Sequence, residues 1–150
     1  MSKRWSLSSY FKTALFFKFE EKDEILTQAN ENDVEVISLI APTSENRIGM
    51  ISNEAQGFIY CVSSLGVTGV RKEIKTDIQS IVDTIRKYTD KPVAVGFGIS
   101  TPQQAYDMAK IADGAIVGSA VIRIIDKYGK EATPYLVDYV KSMKEAISKA

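Results

Sequence analysis

A chain of 150 residues with 45% apolar and 25% charged content has the make-up of one globular domain with a sizeable core. Its 19 basic and 19 acidic residues cancel, which argues against nucleic acid as a partner, and no apolar run approaches the ~18–20 residues of a membrane span. With no histidine, the commonest general acid–base and metal ligand are missing, and the single cysteine, Cys61, excludes an internal disulfide and fits a reducing, cytoplasmic compartment.

In chain order, residues 1–19 are the odd part. Lys3 and Arg4 precede a serine-rich stretch, but the apolar run Ala14-Leu15-Phe16-Phe17 is too short for the ~7–15 residues of a signal-peptide core, so this stretch reads as a divergent leader. Residues 20–32 have helical composition, broken by Asn32-Asp33. Residues 34–41, Val-Glu-Val-Ile-Ser-Leu-Ile-Ala, read as a strand ended by Pro42, and Ser44 is the expected cap of a helix reaching Ala55. Residues 57–62 form the next strand and lead into a loop ending at Gly69. Asp77 is the expected cap of a helix with Ile78, Ile81, Val82 and Ile85 on one face.

Residues 92–119 organise the rest. Pro-Val-Ala-Val-Gly-Phe is a strand, and Thr101-Pro102-Gln103-Gln104 carries a capping residue, a proline at the first helical position and a glutamine at the third. Residues 114–117 are a further strand, followed by Gly118-Ser119 and a short helix with Val121, Ile122 and Ile125. A last helix begins near Thr133, with Tyr135, Leu136, Tyr139, Val140, Met143 and Ile147 as its apolar stripe. Four strands alternating with helices make an α/β protein, and their continuous apolar runs predict a parallel sheet buried on both faces.

Ligands of such sheets bind at the carboxyl ends of the strands. There the chain places Pro42, Thr43 and Ser44, then Ser63 to Gly69, Gly98 to Ser100, and Gly118 with Ser119. These are glycines and hydroxyls, suited to gripping an anion through backbone N–H groups. Asp90 and Asp113 precede strands and belong to the opposite, structural end. Cys61, mid-strand, is read as an inert core residue, and Tyr135 and Tyr139 as packing. On residues alone, this is the binding half of a site without an acid or base.

Three stretches closely resemble the tryptophan synthase alpha chain family: Tyr-Cys-Val-Ser-Ser-Leu-Gly-Val-Thr-Gly at 60–69, Pro-Val-Ala-Val-Gly-Phe-Gly-Ile-Ser at 92–100, and Gly-Ser-Ala at 118–120. Leu-Ile-Ala-Pro-Thr-Ser at 39–44 resembles the same family one strand earlier, and the similarity runs from about residue 20 to Ala150. The resemblance implies a partial (βα)8 TIM barrel of about four parallel strands, the family's strands 5–8 with their helices. It implies a lyase of tryptophan biosynthesis that cleaves indole-3-glycerol phosphate to indole and glyceraldehyde 3-phosphate. The family works with a beta chain that carries pyridoxal phosphate, so no cofactor is expected in this chain itself.

By motif, Gly69, Gly98, Gly118 and Ser119 would bind the substrate phosphate, Thr68 would lie in the loop closing over the site, and Tyr60 and Phe97 would line the substrate pocket. The family's two catalytic carboxylates belong to the first half of the barrel, and a whole barrel takes about 250 residues. The expectation is therefore a truncated chain with an intact phosphate grip and no catalytic residue. The alternative is a non-catalytic phosphate-binding half-barrel or interaction module. A ribulose-phosphate epimerase would share the two-loop grip but lacks the Leu-Gly-Val-Thr-Gly run.

Overall fold

The computed structural model describes residues 14–17, 23–62, 77–96 and 98–150. Strands β1 (Ala14–Phe17), β2 (Glu35–Ile40), β3 (Ile59–Val62), β4 (Val93–Gly96) and β5 (Gly114–Ala115) pair in parallel, in the order of the sequence. Between and after them run α1 (Asp23–Glu31), α2 (Ile48–Glu54), α3 (Ile78–Arg86), α4 (Pro102–Ala109), α5 (Ser119–Tyr128) and α6 (Ala132–Ile147). An order that never reverses is that of a barrel arc, whereas a doubly wound sheet reverses at a switch point. The four strands read from the sequence are all present. β1 is a fifth, inside the stretch read as a leader; it pairs with β2 through Leu15 opposite Val36.

The pleat sorts the side chains. The rows Ser38–Ile59–Val93 and Ile40–Cys61–Val95 point to one face, and all six residues are buried. Ile40, Ile59, Cys61, Val93 and Val95 join Ile48 and Ile51 of α2, the α3 stripe, Ala105 of α4 and Met143 of α6 in one cluster. The row Leu39–Tyr60–Ala94–Gly114 points the other way and is only half-buried. Burial on both faces, as predicted from the apolar runs, therefore does not hold for that row, because the cluster helices all pack on the opposite face.

Local signals explain most boundaries. α1 ends where Asp33 takes a left-handed φ of 56° and the Val34 amide reaches back to the Ala29 carbonyl at 2.9 Å. Asp77 caps α3 as expected, accepting from the Ser80 amide at 3.0 Å. Ser44 does not cap a helix. It lies inside a 3-10 segment, Pro42–Arg47, and its Oγ accepts from the Ala41 amide at 3.2 Å, so α2 starts only at Ile48.

The last two helices are less buried than their stripes suggested. In α6 only Ala132 and Met143 are buried, and Tyr135 and Val140 are exposed. Tyr135 instead stacks on Tyr128, ring centroids 3.6 Å apart. In α5 no residue is buried, and Ile122 and Ile125 are exposed.

Asp113 does structural work at the amino end of the sheet, as its position predicted. Its Oδ2 accepts from the Val93 amide at 2.7 Å and from the Arg86 guanidinium at 2.5 Å, while its own amide donates to the Val93 carbonyl at 2.9 Å.

Two outcomes test this packing. The Tyr60 ring lies against Gly96, where a methyl group would overlap it. Gly96→Ala should therefore cost about 1–3 kcal/mol in chemical denaturation, and most of that loss should vanish in a Tyr60→Ala background.

Burial pushes the Cys61 thiol up to about 12 from its usual value of 9.0, and raises the phenols of Tyr60 and Tyr139. The folded chain thus holds protons that the unfolded chain releases. That stability is fully present below about pH 9 and should be lost as pH rises towards 12. A thiol reagent should accordingly leave Cys61 unmodified in the native chain at pH 8 and label it fully in denaturant.

Candidate functional site

Parallel strands deliver their carboxyl ends to one edge of the sheet. There the loops after β4 and β5 leave side by side, since Val95 lies opposite Ala115 and the Ile116 amide donates to the Val95 carbonyl at 2.8 Å. Gly98, in the first loop, has a φ of 87°, a backbone that side-chain-bearing residues rarely adopt. Gly118, in the second, is exposed and occupies the cap position of α5, and a Cβ built there meets nothing within 4 Å. Ser119 follows as the first residue of α5 and is half-buried.

Two helices, α4 and α5, begin at this edge, and they begin differently. α4 is closed by its own capping box: Thr101 Oγ1 accepts from the Gln104 amide at 3.3 Å, and Gln104 Oε1 accepts from the Thr101 amide at 3.2 Å. α5 starts from a glycine and has no side-chain cap hydrogen bond. The Val121 amide turns back to the Gly118 carbonyl at 2.9 Å, so the Ser119 and Ala120 amides and the positive end of the dipole remain for an anion. The ligand end of α5 is open, and that of α4 is closed.

Of the residues singled out from the sequence, Gly98, Gly118 and Ser119 come together at this edge. Gly69, Thr68 and Phe97 lie outside the described residues. Tyr60 sits on the half-buried row of the sheet, one strand from the β4 loop, and burial raises its phenol pKa. At neutral pH it is thus a neutral group and no base. Cys61 points to the opposite face, into the core.

One contact escaped the sequence reading. Tyr139 of α6, read as packing, donates its hydroxyl to the Ser100 carbonyl at 2.9 Å. The available signal was a tyrosine rather than a phenylalanine on the packed side of a helix, since a part-buried phenol seeks a partner.

A cleft of about 290 Å³ lined by Asn30, Asp33, Glu35, Gln56, Gly57 and Lys91 lies at the opposite edge, where the strands begin. That end of a parallel sheet serves stability. The loops remain the better candidate, because they bring helix-terminal amides and open glycine backbone together. Among the described residues there is no group of three or more His, Cys, Asp and Glu that could hold a metal ion, and no helix long and apolar enough to cross a membrane.

Known proteins share this fold. The family model described as "Tryptophan synthase alpha chain" matches residues 17–149. The tryptophan synthase alpha chain of Thermoanaerobacter sp. (strain X514) is 45% identical over 130 residues, covering 85% of this chain and 50% of the relative. That of Lactiplantibacillus plantarum is 49% identical over 129 residues, 85% of this chain and 48% of the relative. Among solved structures, Mycobacterium tuberculosis tryptophan synthase superposes with a TM-score of 0.73 at 29% identity, over 90% of this chain and 51% of that one. A Pyrococcus furiosus tryptophan synthase alpha-subunit gives 0.73 at 28% identity, over 89% and 55%. The chain spans about half the length of the curated relatives it matches. With one-way parallel winding, paired glycine loops and a family match over nearly all of its residues, the chain belongs to the tryptophan synthase alpha chain family.

Proposed function

We propose that this chain is the carboxyl-terminal, phosphate-gripping half of a tryptophan synthase alpha chain barrel, acting on indole-3-glycerol phosphate or its product glyceraldehyde 3-phosphate. The observation that carries the reading is the pair of adjacent loops bearing Gly98 and Gly118, the second opening an uncapped helix. Gly98, Gly118 and Ser119 bind the phosphate, with Gly69 as a further contact, Thr68 in the closing loop, and Tyr60 and Phe97 along the indole and glycerol part of the substrate.

Cleavage of that substrate is a retro-aldol step. It needs a proton delivered to the indole ring carbon that carries the glycerol chain, and a base for the glycerol hydroxyl. The two glycine loops at this edge, 98–101 and 116–119, hold no carboxylate, lysine or histidine. On this reading the two carboxylates that move protons in the family belong to the other half of the barrel, and residues 20–150 supply binding without chemistry. A beta chain holding pyridoxal phosphate is the partner of the complete enzyme, and the compartment is the cytoplasm. The second reading, a half-barrel that binds phosphate as an interaction module, is favoured only by the half-buried row Leu39–Tyr60–Ala94, an apolar surface suited to a second layer.

Calorimetric titration with glycerol 3-phosphate, beside an assay of indole-3-glycerol phosphate cleavage, tests both halves of the proposal. The expected result is saturable binding with no turnover. Cleavage at the rate of a complete alpha chain would refute the missing-catalyst claim, and absence of binding would refute the grip.

Gly118→Asp separates site from scaffold. Aspartate is a good helix cap and there is open space for it, so the unfolding midpoint should hold or rise. Its charge should lower phosphate affinity at least tenfold.

A further inference from the structure

The loop after β4 is held from three sides. Ile99 is buried in the core cluster. Gln104 Oε1 accepts from the Ser100 amide at 2.9 Å, the Ser100 hydroxyl at 3.2 Å and the Thr101 amide at 3.2 Å. Across the layer, Tyr139 of α6 donates to the Ser100 carbonyl at 2.9 Å. Ser100 is thus committed on its amide, its carbonyl and its hydroxyl. Gln104 reaches the loop from four residues away, but Tyr139 reaches it from 39 residues away, on a helix packed along α4.

From this geometry we propose that Tyr139 is a positioning residue for the anion site. Its hydroxyl fixes the Ser100 peptide and so sets the angle at which the Gly98 segment presents its backbone to the ligand. This rests on the phosphate reading above and adds to it a residue of the outer helical layer that never touches the ligand. Ser100, turned to Gln104 and Tyr139, is a strut of the loop and contributes no ligand contact. The ring of Tyr139 also packs against the core cluster, so removing the hydroxyl alone leaves the packing in place.

Tyr139→Phe is the test, with inorganic phosphate as the probe and Ser142→Ala as the matched control. Ser142 Oγ donates to the Tyr139 carbonyl at 2.7 Å, so its loss removes an α6 hydrogen bond that does not reach the loop. The expected result is a phosphate dissociation constant raised about fivefold in Tyr139→Phe, in line with one hydrogen bond. Amide exchange at 98–101 should quicken by a similar factor in the unliganded chain, while exchange along α6 stays within twofold. Ser142→Ala should leave both phosphate affinity and loop exchange as they were.

Unchanged affinity and unchanged loop exchange in Tyr139→Phe overturn the role of Tyr139 while the phosphate site stands. An equal loss of affinity in Ser142→Ala overturns it too, because the effect would then belong to α6 stability. Failure of the unsubstituted chain to bind phosphate overturns the site, and this role with it.

Discussion

The site exists because β4 and β5 are held in one register, and a single carboxylate secures that register at its far end. Asp113 receives the first amide of β4 and the Arg86 guanidinium, while its own amide returns to the Val93 carbonyl. Val93 is fully buried, so its amide has no water to turn to, and an unpaired amide there would cost about 1–3 kcal/mol. The ion pair itself is more than a third exposed and adds little. With Val93 fixed against Asp113, Val95 must meet Ala115, and the two glycine loops leave the sheet as neighbours. A slip of one residue would turn Val93 and Val95 out of the core and carry Gly98 away from Gly118. The binding edge is therefore set by chemistry at the opposite edge.

Division of labour continues at the helix starts. The capping box of α4 occupies the Thr101 and Gln104 amides, which makes that helix a rigid support for the loop before it. The glycine start of α5 gives up little local stability, since a capping side chain in place of glycine would add only about a few tenths of a kcal/mol, and it leaves the Ser119 and Ala120 amides open. One helix braces the loop before it, and the other leaves its start open. The burial of the two helices follows the same division: α4 buries Ala105 in the core, while α5 buries nothing.

The strands, the caps at Asp77 and Thr101, and the edge where Gly98 and Gly118 meet were legible in the sequence because each rests on local chemistry. Apolar runs, a capping side chain and a proline or glycine act within a few residues of themselves. What the sequence hid depends on distant partners. The Ser44 hydroxyl suits either a cap or a back-bond to Ala41, and only the 3-10 path of the chain decides between them. The apolar side chains of α5 and the outer ones of α6 fit a buried stripe by period alone, yet what covers a helix is set by its neighbours. Tyr139 looked like packing because its partner lies 39 residues back. The strand at Ala14–Phe17 is four residues long in an unfamiliar stretch, below the length at which periodicity speaks.

The winding order of the sheet has a consequence for how such a chain comes together. Each strand pairs with the strand next to it in sequence, so no pairing has to wait for a distant part of the chain. Growth by successive βα units resembles the stacking of a repeat protein, in which stability spreads from neighbour to neighbour. Loop closure between adjacent units also costs less entropy than the long return of a Greek key. A sheet of this kind can be divided at a connection and lose only the pairings at the cut. In a doubly wound sheet, whose first strand lies in the middle, a cut after the first or second strand breaks two pairings.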